Sequence, residues 1–75
     1  MINKAILAVI EKDEDGYFGS CRELPGCHTQ GDTIEELMVN LREAAELYIE
    51  TLSPSERERL GNGEVVTASL EVSLG

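Results

Sequence analysis

Gly16-Tyr-Phe-Gly-Ser-Cys-Arg-Glu-Leu-Pro-Gly-Cys-His-Thr-Gln-Gly-Asp-Thr-Ile-Glu-Glu-Leu37 is the stretch whose reading decides the fold. Tyr17 to Cys21 is a short β-prone run, and Leu24-Pro25-Gly26 breaks it, because Pro and Gly together punctuate regular structure. Cys27 to Gln30 resumes as a further short strand and stops at Gly31-Asp32. Thr33, with Glu36 in the third position after it, is a capping box, so a helix begins there.

Downstream, apolar residues recur at Ile34, Leu37, Met38, Leu41, Ala44, Ala45, Tyr48, Ile49 and Leu52. That is the buried stripe of one long helix. Glu36, Glu43 and Glu50 fall every seventh residue away from it and form an acidic outer ridge. Ser53-Pro54-Ser55-Glu56 repeats the start signal, so a short second helix is expected over 54–60, stopped by Gly61-Asn62-Gly63. From Glu64 to Leu74 the pattern alternates: Val66, Ala68, Leu70, Val72 and Leu74 share one face, which predicts a half-buried strand.

Upstream, Lys4 to Lys12 reads as a strand that is apolar on both faces, with Ile6, Ala8 and Ile10 on one and Ala5, Leu7 and Val9 on the other. Asp13-Glu14-Asp15-Gly16 turns it into a hairpin with the next strand. The expected architecture is α+β in the order β-β-β-α-(α)-β. It is a three-stranded antiparallel sheet with a long helix and a returning C-terminal strand, in a single domain over 1–75. One helix covers one face of such a sheet. The second apolar face of the first strand therefore calls for a partner protein or a homodimer or tetramer.

A chain of 75 residues buries only about 60–65% of its unfolded surface, so its core is marginal. The 41% apolar content suits a globular core, built from Ile, Leu, Val and Ala because only three residues are aromatic. The net charge of −9 disfavours direct contact with nucleic acid and suits a basic partner, although it also serves solubility alone. No apolar run is long enough for a membrane span or a secretory signal, so a cytoplasmic location is expected, with Cys21 and Cys27 as reduced thiols.

Little in the chain suggests an active site. Cys21, Cys27 and His28 lack metal-site spacing and a fourth Cys or His, so no metal and no cofactor is expected. Cys27 and His28 are adjacent and point to opposite faces of a strand, whereas Cys21 and His28 could meet across strands as a nucleophile and base. The acids lie in a turn and on a solvated helix face, which are ordinary places for charge. No Gly cluster here forms a phosphate loop. Within 17–33, Tyr17 and Leu24-Pro25-Gly26 could rim a binding surface. Phe18 is assigned to the core, and Leu24 fits either core or rim.

The quoted stretch resembles the HicB-like antitoxin signature. That signature runs from an aromatic strand through an acidic-Leu-Pro-Gly turn and a Cys/His-Thr-Gln-Gly-Asp-Thr segment into a Glu-rich helix ending in Glu-Ala-x-x-x-Tyr, here Glu43-Ala44 and Tyr48. The resemblance covers about residues 4–52. It implies a partial ribonuclease-H-like fold without a working active site. It also implies a basic HicA-type partner, a small mRNA-cleaving toxin whose catalytic His and RNA surface the antitoxin covers. On that reading Tyr17, Glu23, Leu24, Pro25, Glu36, Glu43 and Glu50 are the residues expected at the toxin contact. Two departures stand out. Arg22 precedes the acid of the turn, and no C-terminal DNA-binding domain follows the last expected strand, so operator binding is not expected. The other readings are a freestanding oligomeric module without a toxin, and a small hydrolase or nuclease.

Overall fold

The computed structural model describes residues 3–75. Three strands, β1 (Ala8–Asp13), β2 (Gly16–Cys21) and β3 (His28–Gly31), form one antiparallel sheet in the order β1-β2-β3. Two helices follow, α1 (Ile34–Glu50) and α2 (Pro54–Asn62). The register Ala8↔Cys21 to Asp13↔Gly16 makes β1 and β2 a tight hairpin. Gly16 starts β2 at φ +132°, which an L side chain rarely adopts, so the expected role of Gly in that turn holds. The Asp13 carboxylate accepts from the Asp15 amide at 2.8 Å and steadies the turn.

Between β2 and β3 the chain makes a small hydrogen-bonded loop. Leu24 N–H donates to Cys21 O (3.1 Å), Cys27 N–H to Leu24 O (2.9 Å) and Cys21 N–H to Cys27 O (3.0 Å). These bonds turn Leu24 inward while Pro25 and Gly26 stay outside. The core is correspondingly compact. Cys21, Leu24, Cys27 and Leu41 are buried together, and Ile6, Ala8, Ala44, Ala45, Tyr48, Ile49 and Leu60 pack around them. Leu37 is buried as well, over Gly19 of β2.

The start of α1 fits closely against β3. A Cβ at Gly31 would lie 2.7 Å from the Leu37 amide nitrogen, so only Gly lets the helix approach this near. Asn40 Nδ2 donates to Gln30 O at 3.0 Å and fixes the same contact farther along. Thr33 caps α1, accepting from the Glu36 amide at 3.1 Å. The reciprocal bond is displaced, since the Glu36 carboxylate accepts from Asp32 N–H (3.3 Å) rather than from Thr33. At α2 the full capping box forms: Glu56 N–H donates to Ser53 Oγ (3.2 Å), and Ser53 N–H to the Glu56 carboxylate (3.1 Å). The helix runs through Gly61 to Asn62, slightly beyond the expected stop.

One expected element does not form within the chain. Residues 64–74 form no regular secondary structure and pair with no strand among the described residues, and Val66, Leu70, Val72 and Leu74 lie exposed, Leu70 at 87%. The observed order among the described residues is therefore βββαα, and the fourth strand that a ribonuclease-H-like order requires is not made. The alternating pattern is real, but a strand also needs an edge to bond to. At its base, Gly63 to Val65, the arm lies beside Lys4 to Leu7 and Glu23. Its projection gives the molecule extents of 46 × 29 × 19 Å and a Cα radius of gyration of 14.4 Å. A compact chain of this length would have about 11 Å.

Candidate protein-binding surfaces

The parity of the sheet sorts its side chains. Gly19 lies beneath Leu37, so odd positions of β2 face α1, and the register places Ile6, Ala8 and Ile10 on the same side. Among the described residues no helix covers the opposite face. It carries Leu7, Val9 and Glu11 from the first strand and its lead-in, Phe18 and Ser20 from β2, and His28 and Gln30 from β3. Leu7, Val9 and Phe18 are all exposed there, so the second apolar face expected from the sequence exists and lies open.

Phe18 belongs to this open face and not to the core. It is 38% exposed between Glu11 and Gln30, its cross-strand neighbours. Leu24 resolves the other way: at 2% exposed, its side chain is core and not rim. Both outcomes follow from parity and loop geometry, which composition does not report.

The cysteines and His28 do not assemble. Cys21 and Cys27 are buried on the helix side, whereas His28 is exposed on the open face, so the Cys21–His28 encounter across strands does not occur. Burial, reinforced by a hydrogen bond with Cys27, raises the Cys21 thiol to about 11. A thiol in that state keeps its proton at neutral pH and is a poor nucleophile. Both thiols are free. Among the described residues no three His, Cys, Asp or Glu side chains gather as metal ligands, and no helix is long and apolar enough to cross a membrane.

The seven residues expected at a toxin contact divide. Glu36, Glu43 and Glu50 are exposed along the outer face of α1. Helical spacing places Val39 and Leu47 beside them, and both are exposed, Leu47 at 64%. Sequence reasoning missed these two aliphatics. Their signal was that they fall off the buried stripe. Pro25 is exposed at the loop tip. Tyr17 is half-buried, with Lys12 Nζ 5.5 Å from its ring centre. The Glu23 carboxylate is engaged internally, accepting from the Leu7 amide at 3.0 Å just beyond the β1–β2 ladder. Leu24 is inside.

Two surfaces thus stand out: an acidic and aliphatic ridge on α1, and an apolar open face on the sheet. Neither resembles a catalytic cleft. Both suit contact with protein, the ridge with a partner that brings positive charge.

Comparison with known proteins points the same way. Residues 6–70 match the model of a family described as the HicB-like antitoxin of bacterial toxin–antitoxin systems. A UPF0150 protein of Helicobacter pylori is 44% identical over 69 residues, covering 92% of this chain and 96% of the relative. One from Archaeoglobus fulgidus is 44% identical over 69 residues, covering 89% and 93%. One from Synechocystis is 43% identical over 68 residues, covering 88% and 99%. No solved structure matches. The match spans the hairpin, the Leu-Pro-Gly loop and both helices, and on it the chain belongs to the HicB-like antitoxin family.

Proposed function

We propose that this chain neutralises a small, basic, mRNA-cleaving toxin of the HicA type by binding it and covering its active site. The observation that carries the reading is the outer face of α1, where Glu36, Glu43 and Glu50 interleave with exposed Val39 and Leu47. Carboxylates steer a basic protein into an encounter, and desolvated aliphatics hold it afterwards. Pro25, at the loop tip, and Tyr17 are further candidate contacts. Glu23 and Leu24 act indirectly, by holding the loop and the start of β1. The protonated Cys21 thiol and its separation from His28 favour binding over hydrolysis as the work of this fold.

The open sheet face supports self-association into a homodimer or a larger assembly, with Leu7, Val9 and Phe18 inside the contact.

The test is co-expression with a basic HicA-type toxin, followed by pull-down and growth rescue. The expected result is a stable complex and restored growth. Reversing Glu36, Glu43 and Glu50 to Lys is expected to slow association by about tenfold or more and to flatten its salt dependence, with the thermal midpoint almost unchanged. An association rate whose salt slope survives the triple reversal would show the ridge to be only a solvated face.

A further inference from the structure

We infer that the C-terminal arm, residues 64–74, is an exchanged strand that completes the sheet of a second copy by pairing with the open edge of β1. This deepens the self-association proposed above and rests on it.

The arm has the pattern of a strand without the bonds of one. Val66, Ala68, Leu70, Val72 and Leu74 alternate with Val65, Thr67, Ser69, Glu71 and Ser73, yet no ladder hydrogen bond reaches them. Four large aliphatics in one row stand in solvent, and Leu74 is 99% exposed.

The receiving edge has the complementary deficit. Leu7 O accepts from Arg22 N–H (2.9 Å) and the Leu7 amide donates to Glu23, so the polar groups of Leu7 turn toward the β2 side. By the alternation of a strand, the amides and carbonyls of Ile6, Ala8, Ile10 and Lys12 turn to the other, unpaired edge. An edge of this length left bare is a template for another strand. The other outer edge is poorer: β3 has four residues, and Asn40 already occupies Gln30 O.

Length fits as well. At about 3.3 Å per residue the arm reaches roughly 36 Å, and the edge from Ile6 to Asp13 needs about 26 Å. That leaves residues to cross between two molecules. Lys4 Nζ donates to Gly63 O and anchors the arm's root beside its own β1, while Gly63, at φ −70° and ψ 153°, sends the chain outward in extended form. Arm and edge both belong to this chain, so a two-fold axis satisfies both copies at once and closes the assembly. A toxin on that edge would leave the arm's own row of aliphatics uncovered.

The test uses the full chain and the variant Val66→Asp/Leu70→Asp/Val72→Asp, with Leu70→Asp alone as a milder second variant. Sedimentation gives mass, and amide exchange reads Ala8 and Ile10. The wild type is expected at twice the chain mass of 8.2 kDa, with those amides protected. The triple variant is expected at the chain mass, with an unchanged helical circular dichroism signal and exchange at Ala8 and Ile10 faster by about tenfold or more. Leu70→Asp should weaken the dimer in the same direction. A dimer that persists in the triple variant with those amides still protected overturns the arm exchange and leaves self-association through another face standing. A wild-type monomer overturns both, and protected Ala8 and Ile10 amides in that monomer would mean that the arm folds back on its own chain.

Discussion

Replacing Leu24 by Ala separates the two roles that its motif allows. The side chain is 2% exposed and packs with Cys21, Cys27 and Leu41. The substitution deletes three carbons. At about 0.8 kcal/mol for each buried methylene the transfer loss is about 2.4 kcal/mol. The cavity left behind brings the expected cost to about 3–5 kcal/mol, because two hydrogen bonds hold the Leu24 backbone and the loop cannot collapse freely. A chain of 75 residues has about 4–11 kcal/mol of stability in total, so this one change removes a large share of it. Urea titration followed by circular dichroism, at one fixed protein concentration, measures it. With a slope near 1 kcal/mol per molar for a protein this small, the midpoint falls by about 3 M or more. Toxin affinity, measured under conditions where the variant is still folded, stays within about threefold of wild type. A variant with unchanged urea midpoint and lost toxin binding would refute the placement of Leu24 in the core. Pro25→Ala, one residue away at the exposed tip, supplies the contrast and should change stability by only about 0.5 kcal/mol.

Gly31→Ala drives a methyl group to 2.7 Å from the Leu37 amide, so α1 must shift from β3. The expected cost is about 1–3 kcal/mol, seen as a thermal midpoint lower by about 4–20 °C. The Glu56 carboxyl is held below its ordinary range by the Ser53 backbone amide and then by the Ser53 hydroxyl. A lowered folded-state pKa means stabilisation that is complete above the ordinary carboxylate value and is lost as pH falls through the folded value. The first turn of α2 should therefore fray in acid, as amide chemical shifts will show, and Ser53→Ala, which keeps the backbone amide and removes the hydroxyl, should leave the larger part of that pH dependence in place. The Cys21 thiol, at about 11, should react with iodoacetamide far more slowly at pH 8 than a free cysteine does, and rapid labelling of the native protein would contradict its burial.

Much of this molecule is legible locally. Thr33 and Glu36, and Ser53 through Glu56, announce two helix starts because capping satisfies orphan amides within a few residues. Leu37, Leu41, Ala45, Tyr48 and Ile49 announce the buried side of α1 because helical period alone puts them together. The acidic ridge is legible for the same reason, and so is the family, whose motif is a run of consecutive residues. The stripe is not buried throughout: Ile34 and Met38, expected on it, are exposed at 46% and 44% because the first turns of α1 have no core over that side, and Val39 and Leu47, apolar residues outside the stripe, lie exposed beside the ridge.

The sequence by itself determined the elements, their order up to α2, the two apolar faces of the first strand and the acidity of the outer helix face, because each depends on neighbours a few residues apart. Only the tertiary structure decided which side of the sheet each strand residue meets. Phe18 went outside, Leu24 inside, and Cys21 and His28 to opposite faces, because those outcomes depend on cross-strand register and on how a loop closes over a core. It also decided the fate of residues 64–74. Alternation makes that segment competent to be a strand, but the ladder is a property of two runs of backbone groups, and among the described residues no strand pairs with it.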